Sequence, residues 1–156
     1  MGSAEHEGQS PDSSTTPDPS TNVQEGQGVL RAAVKRLSED QNVQAVYAFG
    51  SIVHGGWGAQ SDVDLAVLLD RSIDLRQELR LRATVTQTLA RDDVDLVILN
   101  NAPPLLRFEV AANGHRLFTR DEAFADGFER RSSMTYFDTA RLRETQRKLA
   151  KEALER

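Results

Sequence analysis

Phe49-Gly50-Ser51, ten intervening residues, then Asp62-Val63-Asp64-Leu65 decide how this chain reads. Residues 43–49 (VQAVYAF) form an apolar run that predicts a buried strand, stopped at Gly50-Ser51. Residues 62–69 (DVDLAVLL) predict a second strand. Side chains alternate faces along a strand, so Asp62 and Asp64 point one way while Val63 and Leu65 point into the core. Their Cα atoms then lie roughly 6.5–7 Å apart. Two carboxylates at that spacing repel unless a cation sits between them. Magnesium prefers hard oxygen ligands and shares them with substrate phosphates. Two such ions, about 3.5–4 Å apart, clamp the attacking and leaving oxygens of an in-line displacement.

A third acid lies in residues 94–99 (VDLVIL), a third predicted strand. There Asp95 is flanked by apolar residues, where an unpaired charge is costly. If this strand lies beside the second, Asp95 joins the same face, as a metal ligand or as acceptor of a hydroxyl proton. Asp92 and Asp93 fall in the preceding turn, and Asp95 is preferred. Gly50 lets a phosphate approach the backbone. Ser51 offers a hydroxyl, and Ile52-Val53-His54 can begin a helix whose free N–H groups face an anion. A lone Asp-x-Asp is a weak signal. The full Gly-Ser-x10-Asp-x-Asp spacing arises by chance in on the order of one chain per thousand of this length, so it carries weight.

Working outward, Leu30, Ala33, Val34 and Leu37 predict an amphipathic helix before the first strand. Residues 74–90 read as helix, with Leu75, Leu79, Val85 and Leu89 apolar. Pro103-Pro104 suits the first turn of a helix ending at Asn113-Gly114. Residues 116–119 suggest a short fourth strand, and 121–150 a charged helix with apolar Phe124, Phe128, Phe137, Leu142 and Leu149. The alternation gives an α/β fold on three or four strands.

The 156 residues, 38% hydrophobic, suit one domain. Residues 1–26 are polar and Pro/Ser/Thr-rich and read as a disordered acidic tail, with the domain over 27–156. The tail holds five acids and no Lys or Arg, so the net charge of -5 belongs to it. The other 19 acids balance 19 bases. A neutral body argues against binding long nucleic acid. Cysteine is absent, which excludes disulfides and thiolate zinc. No stretch predicts a membrane helix or a signal peptide, so a cytoplasmic protein is the expectation.

Phe49-Gly50-Ser51 through Ser61-Asp62-Val63-Asp64-Leu65 resembles the signature of the polymerase-β-type nucleotidyltransferases. Residues 94–106 (VDLVILNNAPPLL), with Gly114 and Leu117-Phe118, make the chain similar to the minimal nucleotidyltransferases, and more narrowly to the MNT antitoxins paired with HEPN ribonuclease toxins. The resemblance covers about residues 28–140. It implies a small mixed sheet flanked by helices. It also implies two Mg2+ ions on Asp62, Asp64 and Asp95, the triphosphate of ATP on Gly50 and Ser51, and AMP transfer to a tyrosine of a HEPN toxin. The tail and the Gly55-Gly56-Trp57-Gly58 loop depart from the pattern.

Two other functions fit the same residues: an antitoxin acting by binding alone, and a small-molecule nucleotidyltransferase of aminoglycoside type. Trp57 reads as loop packing or a base-stacking surface, and His54 as a surface residue or a phosphate contact. Arg71, Arg76, Arg80 and Arg82 read mainly as solvated charges, with a triphosphate contact as the alternative. Tyr47 reads as core. Tyr136 reads as part of an amphipathic helix rather than a self-modification site. There is no GxxxxGK[ST] loop, no complete dinucleotide fingerprint and no Arg-x4-6-His ribonuclease motif.

Overall fold

The computed structural model describes residues 19–55 and 62–156. Its elements run α1 (Pro19–Ser38), β1 (Val43–Phe49), α2 (Ser51–Gly55), β2 (Val63–Leu69), α3 (Leu75–Leu89), β3 (Val94–Ile98), α4 (Pro104–Asn113), β4 (His115–Thr119) and α5 (Glu122–Leu154). The strands form one mixed sheet in the order β3-β2-β1-β4. β1 pairs antiparallel with β2 and with β4, while β2 and β3 are parallel. This is the expected mixed sheet flanked by helices.

Both faces of the sheet are covered, which is why β1 and β2 read as nearly continuous apolar runs. One face packs Val46, Val63, Leu65, Val67, Leu96 and Ile98 against Ala33 and Leu37 of α1 and Leu81, Val85 and Leu89 of α3. The other packs Ala45, Tyr47, Ala66 and Leu68 against Val110 of α4 and Ala125 and Phe128 of α5. A register shift between Val43 and Ala45 explains how β1 serves both faces without strict alternation.

Several boundaries differ from the sequence reading. α1 begins at Pro19, so residues 19–26 are helical rather than tail. Proline tolerates a first turn, and a helix already anchored through Ala33 and Leu37 propagates backward at low cost. Residues 1–18, and Trp57 with its glycines Gly56 and Gly58, lie outside the described residues. On α3 the buried stripe is Leu81, Val85 and Leu89, spaced i, i+4, i+8, whereas Leu75 and Leu79 are exposed on the opposite side. Of the large apolar side chains expected on α5, Phe124 and Phe128 reach the core beside Ala125, and Phe137, Leu142 and Leu149 are exposed.

Leu99 was expected to end β3 but opens a 3-10 turn over Leu99–Asn101. The turn brings Asn100 against the end of β2. Its amide donates to the Leu69 carbonyl (2.7 Å) and its Oδ1 accepts from the Leu69 N–H (2.9 Å). The side chain thus stands in for one more peptide of a neighbouring strand. Asn100→Ala is expected to cost about 1–3 kcal/mol by stranding these part-buried groups, measured as a lower urea midpoint.

Candidate functional site

The two clusters define which way each acid points. Val63 and Leu65 face α1 and α3, so Asp64 lies between them on the α4/α5 side, in phase with Ala66. Parallel pairing sets Asp64 directly beside Asp95 and Ala66 beside Val97. Asp62 immediately precedes β2, two residues from Asp64. All three acids therefore stand at or just before the starts of β2 and β3. Asp64 is half-buried and its pKa is raised, first by burial, then by the charge of Asp95, then by that of Asp62. Among the described residues no three such side chains close into a ready metal cage.

Asp95 differs from its expected setting. It is 64% exposed rather than sunk among apolar neighbours, because β3 is an edge strand. It is also partnered: Arg82 of α3 reaches around that edge, 3.6 Å from Asp95 and 2.8 Å from Glu78. Arg82 therefore belongs to the site's surroundings, whereas the sequence placed it among solvated charges. Asp93 is engaged elsewhere. Its carboxylate binds Arg91, which holds its pKa below the usual carboxylate range, and its carbonyl accepts from Val63 N–H (3.1 Å). That contact ties the entry of β3 to the entry of β2.

Gly50 follows β1 with φ of 73°, a conformation that disfavours side chains. Across the β1–β2 pair, Phe49 stands opposite Asp64. A Cβ on Gly50 would overlap Asp64 Oδ2. The glycine therefore makes room for the carboxylate, a role its expected use against phosphate did not reveal. Ser51 is exposed as the first residue of α2, whose Ile52 and Val53 pack on the core while His54 faces solvent. Tyr136 stacks on Phe108 with ring centroids 4.1 Å apart and carries Arg143 over its ring, so it serves as helix packing. Tyr47 is buried and donates to Glu129 (3.0 Å), as a core residue with a satisfied hydroxyl.

Residues 32–123 match the family model for the polymerase beta nucleotidyltransferases, and the chain belongs to that family. Within it, the chain is similar to the MNT proteins of toxin–antitoxin pairs. A toxin–antitoxin complex with AMP-PNP contains a chain 26% identical, covering 76% of this chain and 97% of that one, with a TM-score of 0.63. The MntA–HepT complex gives 25% identity, 79% and 97% coverage, and a TM-score of 0.62. The Shewanella oneidensis complex of MNT antitoxin with tri-AMPylated HEPN toxin shares the fold at 24% identity, with 83% and 97% coverage and a TM-score of 0.53. No curated protein matches. Among the described residues no helix is long and apolar enough to cross a membrane.

Two outcomes follow from the Gly50–Asp64 contact. Gly50→Ala is expected to destabilise by about 1–3 kcal/mol in urea titrations, from its positive φ and the overlap. In the Gly50→Ala/Asp64→Ala double variant the change should be less destabilising than the sum of the two single changes, since the carboxylate no longer obstructs the methyl. The raised pKa of Asp64 fixes a sign as well. The folded state holds this proton more tightly than the unfolded state, so ionisation costs stability as pH rises through the carboxylate range. Asp64→Asn is expected to raise Tm at neutral pH by no more than a few degrees in metal-free buffer. The gain should vanish at acid pH, where the wild-type group is protonated in both states.

Proposed function

We propose that this chain is the antitoxin of an MNT–HEPN pair and transfers AMP from ATP to a tyrosine hydroxyl of its cognate HEPN toxin. The observation that carries this reading is the register that sets Asp64 beside Asp95, with Asp62 two residues away and Gly50 opening the space above them. Membership of the nucleotidyltransferase family supports it, as does a relative bound to AMP-PNP. The fold-sharing Shewanella antitoxin is found with an AMPylated toxin.

The donor set fits magnesium. It consists of hard carboxylate oxygens, and the mutual repulsion that raises Asp64 is what a divalent cation relieves. The openness of the set also fits an ion that completes its shell with water and substrate phosphates. Asp62, Asp64 and Asp95 are the proposed ligands. Bound there, Mg2+ supplies charge neutralisation at the α-phosphate and at the leaving oxygens. The remaining steps belong to the chain. Ser51 and the backbone after Gly50 hold the β- and γ-phosphates. Asp95 accepts the proton of the tyrosine hydroxyl as its oxygen bonds to the α-phosphorus. The bond to the bridging oxygen breaks, and pyrophosphate leaves. Arg82, beside Asp95, orients that carboxylate towards the acceptor.

The test uses ATP labelled on its α-phosphate, magnesium and the purified toxin. Label is expected on a toxin tyrosine, falling at least about a hundredfold in Asp62→Ala/Asp64→Ala. Absence of transfer, or transfer undiminished in that variant, would overturn the reading. Full neutralisation of the toxin by the same variant would move the function to binding alone.

A further inference from the structure

We infer that the cleft between α4 and α5 is an anion site for a small phosphate-class oxyanion, independent of the nucleotide chemistry proposed above. The cleft has a volume of about 180 Å³ and is lined by Pro104, Arg107, Phe128, Arg131, Ser132 and Thr135. It belongs to the end of the sheet away from the three aspartates. Those acids stand at the starts of β2 and β3, whereas α4 follows the 3-10 turn that leaves the end of β3.

Several polar groups of the cleft lack partners among the described residues. Arg107 spends one terminal nitrogen on the Asn100 carbonyl (2.5 Å), but its Nε is buried with no hydrogen-bond partner. Ser132 is only 5% exposed, and its hydroxyl makes no hydrogen bond among the described residues. Arg131 lies back along α5, its guanidinium 3.0 Å from where a Cβ on Gly127 would sit. Neither arginine forms an ion pair among the described residues. Glu129 of α5 is committed to Tyr47 and Arg116.

A buried donor without an acceptor is costly, and Arg107 Nε is one among the described residues; no carboxylate lines its cavity. Guanidinium groups present forked N–H pairs that suit phosphate oxygens, and a hydroxyl adds a further donor. Pro104 places the first turn of α4, the positive end of its dipole, at the same cleft. The volume is below the roughly 300 Å³ at which pockets begin to take drug-sized ligands, so the occupant is an oxyanion and not a whole nucleotide. Free phosphate and pyrophosphate share this chemistry.

The experiment is calorimetric titration of the full chain with inorganic phosphate and, separately, with pyrophosphate, both in EDTA. One site is expected. Its affinity should fall about tenfold or more in Arg131→Ala and in Ser132→Ala, and stay unchanged in Ser51→Ala. The stronger of the two anions identifies the source. Thermal melts give a second readout: the anion should raise Tm in the wild type and not in Arg131→Ala, which removes an exposed side chain. No binding of either anion, binding indifferent to Arg131→Ala, or binding lost in Ser51→Ala would overturn the inference.

Discussion

Asp64 is held by two strands at once. It pairs with Phe49 across the antiparallel ladder and with Asp95 across the parallel one. Neither pairing is easily given up, because Val63 and Leu65 on either side are fully buried. A slip of one residue would carry those apolar side chains to the wrong face and put the acid in the core. The hydrophobic order of the sheet therefore holds like charges close together against their repulsion. Gly50, without a side chain, is the residue that this arrangement tolerates over the carboxylate.

The rest of the fold stiffens that register from outside. Asn100 continues the hydrogen bonding of β2 beyond its end. Arg116 of β4 joins Glu122, Asp126 and Glu129 of α5, and Glu129 in turn receives the Tyr47 hydroxyl from β1. Burial, with Glu129 beside it, pushes the Tyr47 pKa well above the ordinary phenol value, so this hydroxyl stays a donor at any physiological pH. A polar clasp thus fixes β1, β4 and α5 together on the face that Asp64 shares.

Much of this was legible in the sequence because the decisive spacings are local. Gly50-Ser51 and Asp62-x-Asp64 sit at strand ends that apolar runs announce, and strand periodicity alone turns Asp64 away from Val63 and Leu65. Asp95 joins Asp64 only where its strand neighbours the second, as the parallel pairing of β2 and β3 provides. What stayed hidden depends on three-dimensional reach. Arg82 meets Asp95 only because a long side chain wraps an edge strand. Leu75 and Leu79 look like core until the helix is rotated to put Leu81 inward. The glycine's partner is an acid fourteen positions away in number, visible only once β1 and β2 pair.

α5 spans 33 residues, about 50 Å of helix, yet only its first half touches the sheet. From residue 141 onward every side chain is exposed, and same-helix pairs such as Glu144–Lys148 and Lys151–Glu155 are its ion pairs. Such pairs add only a few tenths of a kcal/mol each, and a peptide of this size is marginal alone. Its helicity is inherited from the anchored turns before it. Amide protection along this one element should therefore decay gradually from the Phe128 end towards the C-terminus.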